Sequence, residues 1–378
     1  MLARLHDKDP ARALAALEAI QFTGTGRCEA AVIQRGPSLG PAGVRATVRA
    51  LERFGTPACL PLLVALAPHY PEACWALGQI GTTPAYAAQA DQVEQALLQA
   101  MARWRAHRLD AMINLDRIRS KRCEPFLPDL LEAFGLVIFR SYVDELQMPP
   151  TAFQRVAAKL ILRTGKARQV VDLVLQEAEG RRNVERTPPA LRAPLAAMQA
   201  EFKPGFVRMD GKTVAQPLAA LPHIIRDRAF APRLIALLNH PAFIVRIYAA
   251  ESLASLHEPS AVEPILKVVR QPYPFVDEST AVSGKHFGDS QIVRWRGYLC
   301  IALGKLGSEP GRLALEEIAL DANAFRDLRY GSVVGLGFLG SPKSLPALEQ
   351  VAARDIVWNI RQTARQAMED IRLADQAK

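Results

Sequence analysis

The stretch "WRGYLCIALGKLGS", residues 295–308, decides how the whole chain is read. Its glycines and its Gly304-Lys305 pair invite the reading of a phosphate-binding loop. Such a loop needs two glycines five positions apart, so that backbone N–H groups curl around the phosphates, and a hydroxyl directly after the lysine for magnesium. Here Gly297 and Gly304 are seven apart and Leu306 follows Lys305, so both requirements fail. The copies of the stretch say what it is instead. "ALGKLGS" at 302–308 returns as "ALERFGT" (50–56), "ALGQIGT" (76–82) and "GLGFLGS" (335–341). Looser copies are "NLDRIRS" (114–120), "LILRTGK" (160–166), "SLASLHE" (252–258) and "AMEDIRL" (367–373). A cofactor loop occurs once, whereas this unit occurs about eight times.

In the C-terminal half the copies sit in a longer frame. An apolar residue and an arginine come first, and a small residue with Leu or Met follows: Val245-Arg246 to Ser252-Leu253, Trp295-Arg296 to Ala302-Leu303, Leu328-Arg329 to Gly335-Leu336, Ile360-Arg361 to Ala367-Met368. The arginines are 50, 33 and 32 residues apart. A step of 32 or 33 is a two-helix repeat, and the step of 50 is that repeat with roughly 17 residues inserted. Leu299, Ala302, Leu303 and Leu306 fall on one helical face. Gly81, Gly307 and Gly340 follow the last turn, where a helix stops in the left-handed conformation. The second helix starts behind proline, as in "TPACLPLLVAL", "EPSAVEPILKVV" and "SPKSLPALEQV". Small residues such as Ala76, Gly78, Ala302, Gly304, Gly335 and Gly337 let neighbouring helices approach closely.

With its apolar-Arg start, its "ALGKLGS" centre and its "SLPALEQ" second helix, the chain resembles HEAT repeats, in particular the short bacterial variety that includes the phycobilin lyase repeats. The resemblance runs over 233–373 and 41–82 and loosens between about 100 and 230. It implies an all-α solenoid of about eight helix pairs, in which length counts repeats and not globular domains. The expected organisation is an N-terminal set of partly degenerate repeats (1–202), a linker or hairpin (203–222) and a C-terminal regular set (223–378). Within the linker, "GFVRMDGKTVAQP" (205–217) reads as a small hairpin, with Val207 to Met209 and Thr213 to Ala215 on either side of Asp210-Gly211. A loop insertion is expected at 271–291.

The charged N-terminal stretch lacks the apolar core of a secretory signal, and no apolar run approaches the 18 or so residues of a membrane span. A soluble, cytoplasmic protein that does not associate with membranes is expected. Cys28, Cys59, Cys74, Cys123 and Cys300 are odd in number with no C-x-x-C spacing, which favours buried reduced thiols over disulfides.

The formal charge of +9 makes the distribution of basic residues worth following. The densest stretch, "RWRAHRLDAMINLDRIRSKRC" (103–123), holds Arg103, Arg105, Arg108, Arg117, Arg119, Lys121 and Arg122 with Trp104 inside it. It is a candidate anion-binding footprint, for nucleic acid or an acidic protein segment; the plainer reading is a solvated helix face paired internally through Asp110 and Asp116. Arg246, Arg296, Arg329 and Arg361 stack as a ladder, either ligand-facing or paired with Asp289, Asp321 or Asp355. The 271–291 insertion carries Tyr273, Phe275, Asp277, Glu278, His286 and Phe287, residue types suited to partner contact. Long connections in repeat arrays fall on binding faces; the plainer reading is a passive loop. His257-Glu258 is similar to the His-Glu pairs of HEAT-type di-iron hydroxylases, but one pair does not make a metal site, and no metal, cofactor or catalytic set is assigned.

The leading expectation is therefore a non-catalytic adaptor that grips a partner protein with its concave face and the 271–291 loop. The resemblance to phycobilin lyase repeats implies an alternative, a bilin lyase or chromophore chaperone. A third reading is nucleic-acid binding through a basic concave surface, as in alkylpurine DNA glycosylases built on similar repeats.

Overall fold

The computed structural model describes residues 2–103, 108–134, 152–179, 212–240, 243–271 and 294–376. These form α-helices joined by short turns and single 3₁₀ turns, and no strand occurs among them. Two compact units are present, Met1–Ala133 with Ala152–Lys166, and Phe134–Thr151 with Ala167–Lys378.

The first unit carries α1 (Leu2–Leu5), α2 (Pro10–Thr23), α3 (Glu29–Arg35), α4 (Gly40–Phe54), α5 (Leu60–Leu66), α6 (Pro71–Thr82), α7 (Ala90–Arg103), α8 (Arg108–Arg117), α9 (Leu127–Phe134) and α10 (Ala152–Arg163). The longer helices α2, α4, α6, α8 and α10 pack side by side in one layer, with the intervening helices behind them. The second unit repeats the plan with α11 (Ala167–Ala178), α12 (Lys212–Ile224), α13 (Ala231–Leu237), α14 (Phe243–Ser255), α15 (Val262–Val269), α16 (Arg294–Leu306), α17 (Glu309–Leu320), α18 (Arg326–Leu339), α19 (Leu345–Arg354) and α20 (Trp358–Gln376). There α12, α14, α16, α18 and α20 form the first-helix layer.

The layers follow from the repeated unit. Its central leucine is buried in every clear copy, at Leu51, Leu77, Leu115, Leu253, Leu303 and Leu336, so each first helix turns the same stripe toward its partner. Second helices start where proline was noted, each behind a 3₁₀ turn such as Pro57–Cys59, Pro259–Ala261 or Pro342–Ser344. A side chain caps several of these turns: Thr56 accepts from the Ala58 N–H at 3.3 Å and Asp227 from the Ala229 N–H at 2.9 Å.

The small residues have their expected use, most plainly between α16 and α18. A Cβ on Gly304 would lie 2.0 Å from the Gly335 carbonyl oxygen, and one on Gly331 2.3 Å from that of Gly297. Backbone packs on backbone at both points.

Two expectations need correction. Thr213 to Ala215, the second arm of the expected hairpin, lies in the first turn of α12; the first arm and the Asp210-Gly211 turn fall outside the described residues. Helical spacing wins there, because Leu218, Leu221 and Ile225 are buried together as one stripe. Gly81 is also not left-handed. It remains inside α6, where a Cβ would stand 2.9 Å from Ile118 and 3.0 Å from Val93, so space and not dihedral angle explains it. Gly307 (φ 75°) and Gly340 (φ 66°) do take the left-handed conformation, and in two other copies Arg119 (φ 55°) and His257 (φ 46°) take it at the equivalent position.

Candidate functional site

The arginine ladder points into the fold. Arg361 donates to the Asp355 carbonyl at 2.7 Å, Arg329 to that of Ala324 at 2.5 Å, and Arg246 to that of His240. Each acceptor lies just past the end of the preceding second helix, where carbonyls have lost their intrahelical donors. Arg296 makes the same bond to Gln271 at 2.5 Å, so the surplus residues lie between those two, where the sequence placed the insertion. Arg329 adds an ion pair, its Nε 2.8 Å from Asp355 Oδ2, with both side chains buried. Asp355 is one of the three acids expected to pair with the ladder, but as the acid of the turn before Arg361, whereas it serves Arg329, 26 residues earlier; Asp321 accepts from the Asn323 N–H, and Asp289 lies outside the described residues. Arg108 stands at the same place in the repeat. It is buried, donates to the Met101 carbonyl at 3.0 Å and pairs with Asp129 at 2.9 Å.

The exposed face of the second unit's first-helix layer has a different chemistry. The variable residue of the seven-residue unit is Arg53, Gln79 and Lys305 in three copies and Phe338 in the fourth. Phe338 is 60 % exposed, with the Lys305 ammonium 5.0 Å over its ring. Lys305 also pairs with Glu251 across the layer at 3.0 Å. Tyr330 is exposed on the same helix as Phe338, and Ile301 and Val334 are half-buried on α16 and α18. Tyr248 and Tyr298 complete the set. Burial, then the nearby Glu251 and Tyr298, push the Tyr248 phenol up to about 12. The Lys305–Glu251 ion pair thus stands among aromatic and aliphatic side chains.

The family model of the PBS lyase HEAT-like repeat matches residues 245–271, which span α14 and α15 with the ladder residue Arg246. Together with the two helical layers, that match settles the architecture. The chain is a HEAT-like repeat protein. Among curated proteins none matches it. A crystal structure of an engineered protein aligns over 98 % of both chains at 14 % identity with a TM-score of 0.33.

Within these HEAT-like repeats, three of the seven basic residues at 103–123, Arg108, Arg117 and Arg122, have internal partners. Arg117 lies 5.1 Å over the Trp75 ring and donates to Asn114 at 3.3 Å, while Trp75 Nε1 donates to Asp110 at 2.8 Å. Arg122 pairs with Asp91 and Glu94. Asp116 pairs with Lys159 and Arg163 of α10, not within its own turn. Arg119 and Lys121 are exposed, Arg105 lies outside the described residues, and of Arg103 only the backbone is described. Tyr273, Phe275, Asp277, Glu278, His286 and Phe287 also lie outside the described residues.

Other candidates for chemistry are occupied. Glu258 accepts from the Ser260 N–H at 3.2 Å as a turn cap. No group of three or more His, Cys, Asp or Glu side chains is placed to hold a metal among the described residues. The five cysteines are free and buried, and burial lifts the thiols of Cys59, Cys74 and Cys300 to about 12, which makes them poor nucleophiles. The sequence reading missed Phe338, although the signal was present as the one aromatic at a position that is polar in the other close copies. It also placed Arg108 in the surface cluster, when its spacing to Asn114-Leu115 is that of the ladder.

Proposed function

We propose that this HEAT-like repeat protein is a non-catalytic scaffold that binds a partner protein on the exposed face of α14, α16 and α18, the side such arrays turn inward. The observation carrying this reading is the Tyr248, Tyr298, Tyr330 and Phe338 surface around the Lys305–Glu251 pair. Aromatic residues with few charges are the composition of an interface core. The ladder arginines serve the reading as struts, holding the turns that space these helices. The 271–291 segment enters as a second contact on sequence grounds alone. The test is a pull-down from the protein's own cells, nuclease-treated and at moderate salt, with the wild type, with Tyr330→Ser/Phe338→Asp, and with 273–288 replaced by a short Gly/Ser linker. Loss of one stoichiometric protein from the face variant, with helicity unchanged, is the expected result; a partner retained by both variants would refute the assignment.

The match at 245–271 to a repeat model named for PBS lyases keeps a bilin-binding reading as the second choice. It predicts visible absorbance when bilin is added to the purified protein. Nucleic-acid binding through the remaining Arg119 and Lys121 predicts affinity that collapses with salt.

A further inference from the structure

A second surface lies in the turns between second and first helices of the C-terminal repeats. A cleft of about 260 Å³ opens between the end of α17 and the end of α19, with Leu320, Val351 and Ile356 among its lining. Its apolar rim is unusually bare: Ile356 is 88 % exposed and Leu320 44 %, with Trp358 two residues on from Ile356 at 65 %. The volume is below the roughly 300–1,000 Å³ of small-molecule and cofactor sites, so the cleft suits a side chain presented by another chain.

The charges around it are sorted by use. Arg329 and Asp355 both line the cleft, but they are buried against each other; Asp355 Oδ2 accepts from Arg329 and its Oδ1 from the Val357 N–H at 2.8 Å. Neither offers a charge to a visitor. Asp321, on the neighbouring turn, accepts from the Asn323 N–H and is not part of the lining. Arg354 is the remaining charged residue of the lining, exposed, at the last turn of α19, and without an ion pair among the described residues. An apolar slot beside one unspent guanidinium is complementary to an apolar side chain beside a carboxylate.

We propose that this cleft docks an acidic-apolar peptide segment of a partner protein. One aliphatic or aromatic side chain enters between Leu320, Val351 and Ile356, and a carboxylate next to it in sequence pairs with Arg354. The site shares no residue with the Tyr330 and Phe338 face, so the two proposals stand or fall separately.

The probe is a displayed library of random peptides selected on the full-length protein, with a Phe338→Asp background that removes binders of the other face. The expected result is enrichment of Leu, Ile, Phe or Met beside Asp or Glu. Binding of the selected peptide should weaken about tenfold or more in Arg354→Glu, where like charges meet, and in Ile356→Asp. Both positions are exposed, so circular dichroism should report an unchanged fold. A selected peptide with its acid replaced by lysine should bind Arg354→Glu better than the wild type. Failure to select any peptide, selection without acidic residues, or affinity indifferent to Arg354→Glu each overturns the proposal.

Discussion

The first-helix layers of the two units are built on the same repeat and finished differently. On α4, α6, α8 and α10 the exposed side chains neutralise one another: Arg49 with Glu72, Trp75 with Asp110 and Arg117, Asp116 with Lys159 and Arg163. On α14, α16 and α18 the corresponding surface has tyrosine, phenylalanine and aliphatic residues around the Lys305–Glu251 ion pair. Packing within the layer differs as well. In the first unit, Gly78 makes room for the Asn114 side chain; in the second, Gly304 makes room for the Gly335 backbone. The lesson is that the repeat specifies the inward stripe and the turns, and leaves the outward positions free to carry paired charges in one unit and aromatic and aliphatic side chains in the other.

The sharpest way to break the comparison is at the ladder's ion pairs. The Arg329–Asp355 pair is 7 % and 5 % exposed, whereas Asp129, the partner of Arg108, is 24 % exposed. Removing one partner of a buried pair leaves an uncompensated charge and costs about 3–5 kcal/mol. Asp355→Ala should therefore cost that much, and Asp129→Ala about 2 kcal/mol, because water reaches the stranded Arg108 more easily. Urea unfolding of the two variants decides; equal losses would mean that the exposure difference has no energetic meaning.

Glycine packing gives the next effect. Gly304→Ala forces a Cβ onto backbone that has no rotamer to yield, so the helices must part at a cost of about 2 kcal/mol. Gly78→Ala meets a side chain, Asn114 Oδ1 at 2.0 Å, and should cost about 1 kcal/mol, recovered in part in Gly78→Ala/Asn114→Ala, which removes Oδ1 and Cγ but keeps the Asn114 Cβ at 2.9 Å. No companion substitution should rescue Gly304→Ala.

These positions also show how far the sequence could be read. The period, the inward leucines, the prolines before second helices and the crowding glycines are local patterns copied about eight times, and repetition made each legible. Gly81 misled because a glycine after an apolar run has two physical causes, a left-handed turn or a close neighbour, and the spacing is the same for both. Arg119 and His257 carry the reverse lesson: some copies take the left-handed turn even where the residue opposes it, while Gly55 and Gly81 do not take it. Side-chain partnerships between repeats were not legible. Asp116 pairs with Lys159 and Arg163 of α10, more than 40 residues on, and no spacing rule predicts which helix arrives beside it.

Alkaline pH tests burial in both units at once. The unfolded chain releases a cysteine proton near 9, whereas Cys59, Cys74 and Cys300 hold theirs to about 12 in the fold. Above pH 9 the native state binds more protons than the unfolded one, so stability falls as pH rises from 9 toward 12 and is unaffected below 9. Cys74→Ala and Cys300→Ala should each flatten that fall in melting temperature, and a thiol reagent should leave all three unlabelled in the native protein at neutral pH.

The smallest effect on stability should come from the residue that most distinguishes the two faces. Phe338 is largely exposed, and the Lys305 cation lies above its ring. Phe338→Gln restores the polar residue that the "ALGQIGT" copy carries as Gln79, and surface changes of this kind stay within about 0.5 kcal/mol. Loss of the cation–π contact removes at most about 1 kcal/mol, and Lys305 keeps Glu251. If Phe338 is there for a partner, binding must drop far more than stability, since aromatic anchors near an interface centre carry about 2 kcal/mol or more. Measuring urea stability and partner affinity on the same Phe338→Gln preparation separates the two roles. A stability loss as large as that of Gly304→Ala would make Phe338 a structural residue after all, and the contrast between the two faces an accident of packing.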